Sequence, residues 1–246
     1  MNEIVGVLRE QLDELGSKLA SLGSAEWALP SACEGWSVSD VVLHLAHTNE
    51  LAALSARGEL AAVAAVPPAG AIDDGADAAV ARERGAGAAE IHARWVRSAD
   101  DMCAALLQRS PSDRLQWVAG TLAARTLGTT RLAETWIHSG DVYAAFGGGL
   151  TPTDRLWHIA RLAWRTLPYA FSREGLAMTG DVAFRLVGVD GVTPWSFGDD
   201  DAPTVISGSG FDLCRVASRR FAPSDTALVG SGPDADAVLA VVRTWA

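Results

Sequence analysis

Lysine is almost missing from this chain. Among 20 basic residues Lys18 is the only lysine, and 30 acidic residues leave a net charge of -10. A surface of that sign favours neither nucleic acid nor an anionic membrane, so the expected partners are small molecules or other proteins. Cysteine is scarce as well. Cys33, Cys103 and Cys214 are odd in number and far apart, which argues against a disulfide framework and fits reduced thiols in the cytoplasm. No CxxC pair offers a cysteine metal site. There is no stretch near the roughly 20 apolar residues of a membrane span, and no basic region leads into an apolar core at the N-terminus. The expectation is an intracellular, cytoplasmic protein, a monomer or a homodimer. At 49% hydrophobic and 20% charged, the 246 residues have an ordinary globular composition and can bury one large core or two modest ones.

What is present centres on Arg131-Leu-Ala-Glu134-Thr-Trp136-Ile-His138-Ser-Gly-Asp141. Glu134 and His138 are four apart and Asp141 follows three later, so a helix would project all three from one face. Such a face is either solvated and ion-paired or half of a metal site. Leu132, Ala133, Trp136, Ile137, Val142 and Ala145 leave little of this helix free to face water, and an acid and an imidazole buried there need partners.

The chain in order supplies them. Ile4, Val5, Leu8, Leu12, Leu15, Leu19 and Leu22 space a first helix over 2–22. Ser37 and Asp40 form a capping-box start for a second helix from Val38 to about Ala56, which carries His44 and His47. Residues 58–78, with Pro67-Pro68 and Asp73-Asp74-Gly75, read as a long loop. A third helix spans Gly87 to Gln108, where His92 is structural, and a fourth runs from Thr129 to Phe146 before Gly147-Gly148-Gly149. Four helices predict a four-helix bundle, a fold that builds metal sites from inward side chains; His44 with Glu134 and His138 is its one plausible set. A fifth helix over 154–168 completes a first domain, 1–174. Past Gly175 alternation replaces helical spacing: a hairpin of Val182–Leu186 and Val192–Phe197, strands at 204–206 and 226–229, and helices at 211–218 and 235–245. The second domain, 175–246, is thus small and α+β.

Gly35-Trp36-Ser-Val-Ser-Asp40-Val-Val-Leu-His44-Leu and Thr130-Arg131-Leu-Ala-Glu134-Thr-Trp-Ile-His138-Ser-Gly-Asp141-Val resemble the two signature segments of the mycothiol-dependent maleylpyruvate isomerase family. That family belongs to the DinB-like superfamily of metal-binding four-helix bundles. The run from Val205 to Leu213, with Arg219-Arg220 behind it, looks like the family's small second domain, and the whole is similar to an actinobacterial branch of uncharacterised metal-binding proteins. The resemblance implies metal ligation by His44, Glu134 and His138, with His47 only a neighbour. It implies an orienting role for Asp141 and a functional arginine at Arg220 or, less directly, Arg219. Trp36 and Trp136, near the ligands in sequence, are candidates for the pocket wall.

Two imidazoles and a carboxylate suit zinc, or another divalent ion such as iron or nickel, with one open position. Mycothiol, the cosubstrate that the resemblance implies, would be deprotonated there and attack an electrophilic carbon. The expected function is therefore a zinc-dependent, mycothiol-using transferase or isomerase acting on a small electrophile. Two alternatives keep the metal without the thiol: a hydrolase, lyase or cyclase, or a non-catalytic metal or ligand binder.

Overall fold

In the computed structural model, which describes residues 1–63, 72–118 and 120–244, Ile4, Val5, Leu8, Leu12, Leu15 and Leu19 form the buried stripe of α1 (Asn2–Ala20), as their spacing predicts. The second helix, α2 (Val38–Arg57), begins where Ser37 and Asp40 set it. The Ser37 hydroxyl accepts from the Asp40 amide at 3.2 Å, and the Asp40 carboxylate accepts from the Ser37 amide at 2.9 Å. It ends at Gly58, whose φ of 82° suits glycine. Ser37→Ala frees one of these amides and is expected to cost about 1 kcal/mol of stability. The urea midpoint measures it, and an unmoved midpoint would show the cap to be idle.

Residues 58–78 are not one loop. The short α3 (Leu60–Val63) and α4 (Ile72–Glu83) flank residues 64–71, so Pro67-Pro68 lies outside the described residues. Alanine-rich sequence on both sides carries enough helix propensity to absorb Gly75. Next, α5 (Ala88–Leu107) buries Ile91, Trp95, Met102, Ala105 and Leu106. Then comes a hairpin that the sequence reading missed, β1 (Arg114–Trp117) antiparallel to β2 (Gly120–Ala123). It runs directly into α6 (Ala124–Ala144), which starts five residues before the expected Thr129. α2 packs along α5 and α6, and α1 along α6 and α5, so His44 and the Glu134–His138 pair ride on adjacent helices.

Contacts divide the chain at Leu150/Thr151 rather than after residue 174. The second unit contains α7 (Leu156–Arg165), α8 (Leu167–Arg173), β3 (Val182–Val187), β4 (Pro194–Phe197), β5 (Thr204–Ser209), α9 (Gly210–Ala217), β6 (Val229–Ser231) and α10 (Ala235–Val241). Its sheet order is β4-β3-β5-β6, with β3 parallel to β5 and the other pairs antiparallel. The helix expected to close the first domain belongs here because α7 packs on α9, β3 and β4, burying Leu156, Ile159, Leu162 and Ala163. The chain is thus mixed helix and sheet. Among the described residues no helix is long and apolar enough to cross a membrane.

Candidate metal centre

Four residues along α6 is 400°, so Glu134 and His138 stand one above the other, and Asp141 lies about 60° round from His138. His44 reaches them from α2. The Glu134 Oε2 atom is 3.7 Å from His44 Nε2 and 3.6 Å from His138 Nε2, and the two imidazole rings meet edge-on with centroids 4.9 Å apart. All three ligand atoms lie within 4.8 Å of one another. Charge-assisted hydrogen bonds close to roughly 2.7–2.9 Å. Donors placed 2.0–2.1 Å from a tetrahedral zinc are instead about 3.4 Å apart, and the observed spacing is closer to that.

The opposite nitrogen of His138 is also engaged. Its Nδ1 is 2.9 Å from Asp141 Oδ2, and because a carboxylate can only accept, the proton sits on Nδ1 and Nε2 faces Glu134. The Cys33 thiol donates to the same Oδ2 at 3.0 Å. Cys33 is a residue that sequence reasoning missed, and its only signal was its place just before Gly35-Trp36.

Burial and pairing set the charges. Burial raises the Glu134 carboxyl, but the nearby imidazoles of His138 and His44 outweigh this and hold it well below the usual carboxylate range. His138 loses by burial, yet Asp141, Cys33 and Glu134 together hold its pKa well above the ordinary value. His44 is pushed down, chiefly by burial. One turn before Glu134, Arg131 is 1% exposed and donates through Nη2 to Thr48 Oγ1 at 2.7 Å, and the Thr48 hydroxyl in turn bonds the His44 carbonyl. Burial lowers the pKa of this arginine, and Glu134 is the opposite charge that offsets it. The link ties α6 to α2 beneath the donors.

The remaining candidates divide. Trp36 lies against His44, ring centroids 5.2 Å apart, and its indole N–H donates to Asp77 Oδ1 at 2.9 Å. It lines a cavity of about 760 Å³ together with Trp27, Cys33, Gly35, Asp40 and Arg84. Trp136 is 1% exposed and belongs to the core. Two residues from both Glu134 and His138, it points to the other side of the helix, about 200° away, so nearness in sequence misled. His47 pairs with Glu83 at 2.9 Å, consistent with a neighbour and not a ligand. His92 packs between Trp27 and Trp95. Arg220 is exposed just past α9 in the second unit, and Arg219 beside it adopts φ 61° and donates to the Ala240 carbonyl.

Comparison with known proteins adds three findings. The family model described as the mycothiol maleylpyruvate isomerase N-terminal domain matches residues 8–143. Two uncharacterized proteins of Mycobacterium tuberculosis, from strains CDC 1551 and H37Rv, are each 32% identical over 98% of this chain and 95% of their own length. The crystal structures of a mycothiol-dependent maleylpyruvate isomerase and of its histidine-to-alanine mutant superpose with a TM-score of 0.65 at 20% identity, covering 94% of this chain and 95% of theirs. At that identity the likeness is one of fold.

Proposed function

Because the chain belongs to the mycothiol maleylpyruvate isomerase family, we propose that it is a metal-dependent enzyme in which His44, Glu134 and His138 hold one divalent ion, preferably zinc. In this reading the first unit is a DinB-like four-helix bundle of α1, α2, α5 and α6, and mycothiol is the cosubstrate of an isomerisation or transfer on a small electrophile. A single observation carries the metal: one oxygen of a partly buried carboxylate sits 3.6–3.7 Å from two imidazole nitrogens on neighbouring helices. The donor set fits a borderline ion and, with three protein ligands, leaves a position for a fourth. When bound, the ion would supply the Lewis acidity that deprotonates a thiol beside it.

The chain's own residues do the rest. Asp141 fixes the His138 ring by taking its Nδ1–H, and burial of Glu134 and His138 keeps water from competing for their lone pairs. Trp36 and Cys33 join this centre to the 760 Å³ cavity, which we assign to the thiol and its electrophile. Arg84 is paired with Asp40 at 3.1 Å, and Glu34 on the same wall leaves it one negative charge in excess. Arg220 remains the candidate for holding a substrate carboxylate, a role for which the guanidinium fork is suited. In an isomerase the thiol adds, the former double bond rotates and the thiol leaves; in a transferase the thioether is kept. A mycothiol cosubstrate implies a cytoplasmic setting.

The test is calorimetric titration of mycothiol into zinc-loaded and chelator-stripped protein. About one zinc per chain, with thiol binding only to the loaded form, is expected. Zinc without thiol binding would turn the reading toward a hydrolase, lyase or cyclase, and protein that takes up no metal would end it.

A further inference from the structure

Cys33 sits in a closed turn between α1 and α2. The Ser31 amide donates to the Trp36 carbonyl at 2.9 Å, the Trp36 amide to the Cys33 carbonyl at 3.0 Å, and the Cys33 amide to the Ser31 hydroxyl at 3.1 Å. The turn is fastened to α6 by the Ala32 amide, which donates to the Asp141 carbonyl at 3.1 Å. From this frame two side chains reach the two histidines. Trp36 packs on the ring of His44, and the Cys33 thiol donates to Asp141 Oδ2, the oxygen that also receives His138 Nδ1. The sulfur is 3.8 Å from Nδ1, while the other ring nitrogen, Nε2, faces Glu134.

We propose that Cys33 is a positioning residue of the metal centre: its thiol, through Asp141, holds His138 in the tautomer and orientation that present Nε2 to the ion. The inference rests on the metal reading above and adds a residue to it. A second donor to the same Oδ2, carried by a turn whose Ala32 amide is bonded to the Asp141 carbonyl, helps to hold that oxygen aimed at the imidazole. Direct ligation by the sulfur is the competing role, since Cys33, His138 and Asp141 also form a compact donor group. The geometry favours positioning: the sulfur lies on the Nδ1 side of the ring, away from the atoms that face His44 and Glu134.

The experiment compares zinc affinity by competition with a chromophoric chelator for wild type, Cys33→Ala and Cys33→Ser, together with the absorption spectrum of the cobalt(II)-loaded wild type. Cys33→Ala is expected to bind zinc about 10-fold more weakly, as losses of supporting partners around a ligand do. The serine hydroxyl, which can still donate to Asp141, is expected to recover affinity to within about threefold. The cobalt spectrum of the wild type is expected to lack a thiolate charge-transfer band. Equal affinity in all three proteins overturns the proposal, as does a serine variant as weak as alanine or a thiolate band in the wild type. Wild type that binds no zinc overturns the metal reading itself and this inference with it. An alanine variant that fails to fold is replaced by Cys33→Val, judged by the same comparison with serine.

Discussion

Glu134→Gln is expected to weaken zinc binding by a few hundredfold to a thousandfold, and with it any thiol-dependent turnover. Structural zinc contributes roughly 10–16 kcal/mol across about four ligands, so one ligand is worth about 2.5–4 kcal/mol. Glutamine keeps the volume of the side chain but replaces the charge with a neutral amide. The loss is larger here than at an exposed site, because Glu134 is the anion that His44, His138 and the buried Arg131 share. Without it, His44 and Arg131 lose the counter-charge beside them and only Asp141, on the Nδ1 side of His138, remains, so a divalent cation entering on the Nε2 side is opposed as well as less firmly held. The same electrostatics give the sign of a pH effect in the unmodified protein. His138 has a raised pKa, so it carries a proton that the ion must displace, and apparent affinity falls as pH is lowered. Competition titration at two pH values measures both effects, with circular dichroism to establish that the variant is folded. A glutamine variant within threefold of wild type would remove Glu134 from the ligand set.

Gly232→Ala is expected to cost the second unit about 3 kcal/mol or more, a fall in melting temperature of roughly 12–20 °C for a unit of this size. Gly232 adopts φ 97°, which an alanine reaches only under strain, and an added Cβ would stand 2.0 Å from the Pro203 carbonyl oxygen and 2.7 Å from Thr204 Cα. Both obstacles are backbone at the entrance to β5, so no side chain can swing aside. Moving the turn would break the pairing of Ser231 with Val205 and the hold of Asp234, which accepts from the Thr179 amide and donates from its own amide to Thr204 Oγ1. Two costs of about 1–3 kcal/mol each therefore add, one conformational and one steric. Thermal unfolding followed by proteolysis measures the shift, and an unmoved curve would mean that this turn relaxes freely. All three proposed ligands lie in the first unit, so zinc uptake below the melting range is expected to stay within twofold.

The first of these sites was legible before any coordinates. Helical spacing alone put Glu134, His138 and Asp141 on one face, and the Ser37–Asp40 cap located α2 and so the depth of His44. What spacing could not reach was anything held by a loop or set by a long-range contact. Cys33 carries no periodicity, and its meaning comes from Asp141, 108 residues on. Trp136 shows the converse error, since two residues along a helix face opposite ways. The β1–β2 hairpin escaped because four-residue strands give little alternation and its turn ends on Gly120, at φ 117°, without a familiar turn dipeptide. The boundary at residue 150 depended on which partner the apolar stripe of α7 would choose, and an amphipathic stripe does not name its partner.

His44 and Glu134, ninety residues apart in the chain, come from two helices that Arg131 and Thr48 join just beneath. The ion proposed to be shared by them would bind the folded chain and not the unfolded one, so free zinc would act as a thermodynamic weight on folding. At 100 times the dissociation constant that weight is about 2.7 kcal/mol. On that proposal the stability of the first unit would be a property of the solution as much as of the sequence, and its melting temperature in a metal-buffered series would become a thermometer for free zinc.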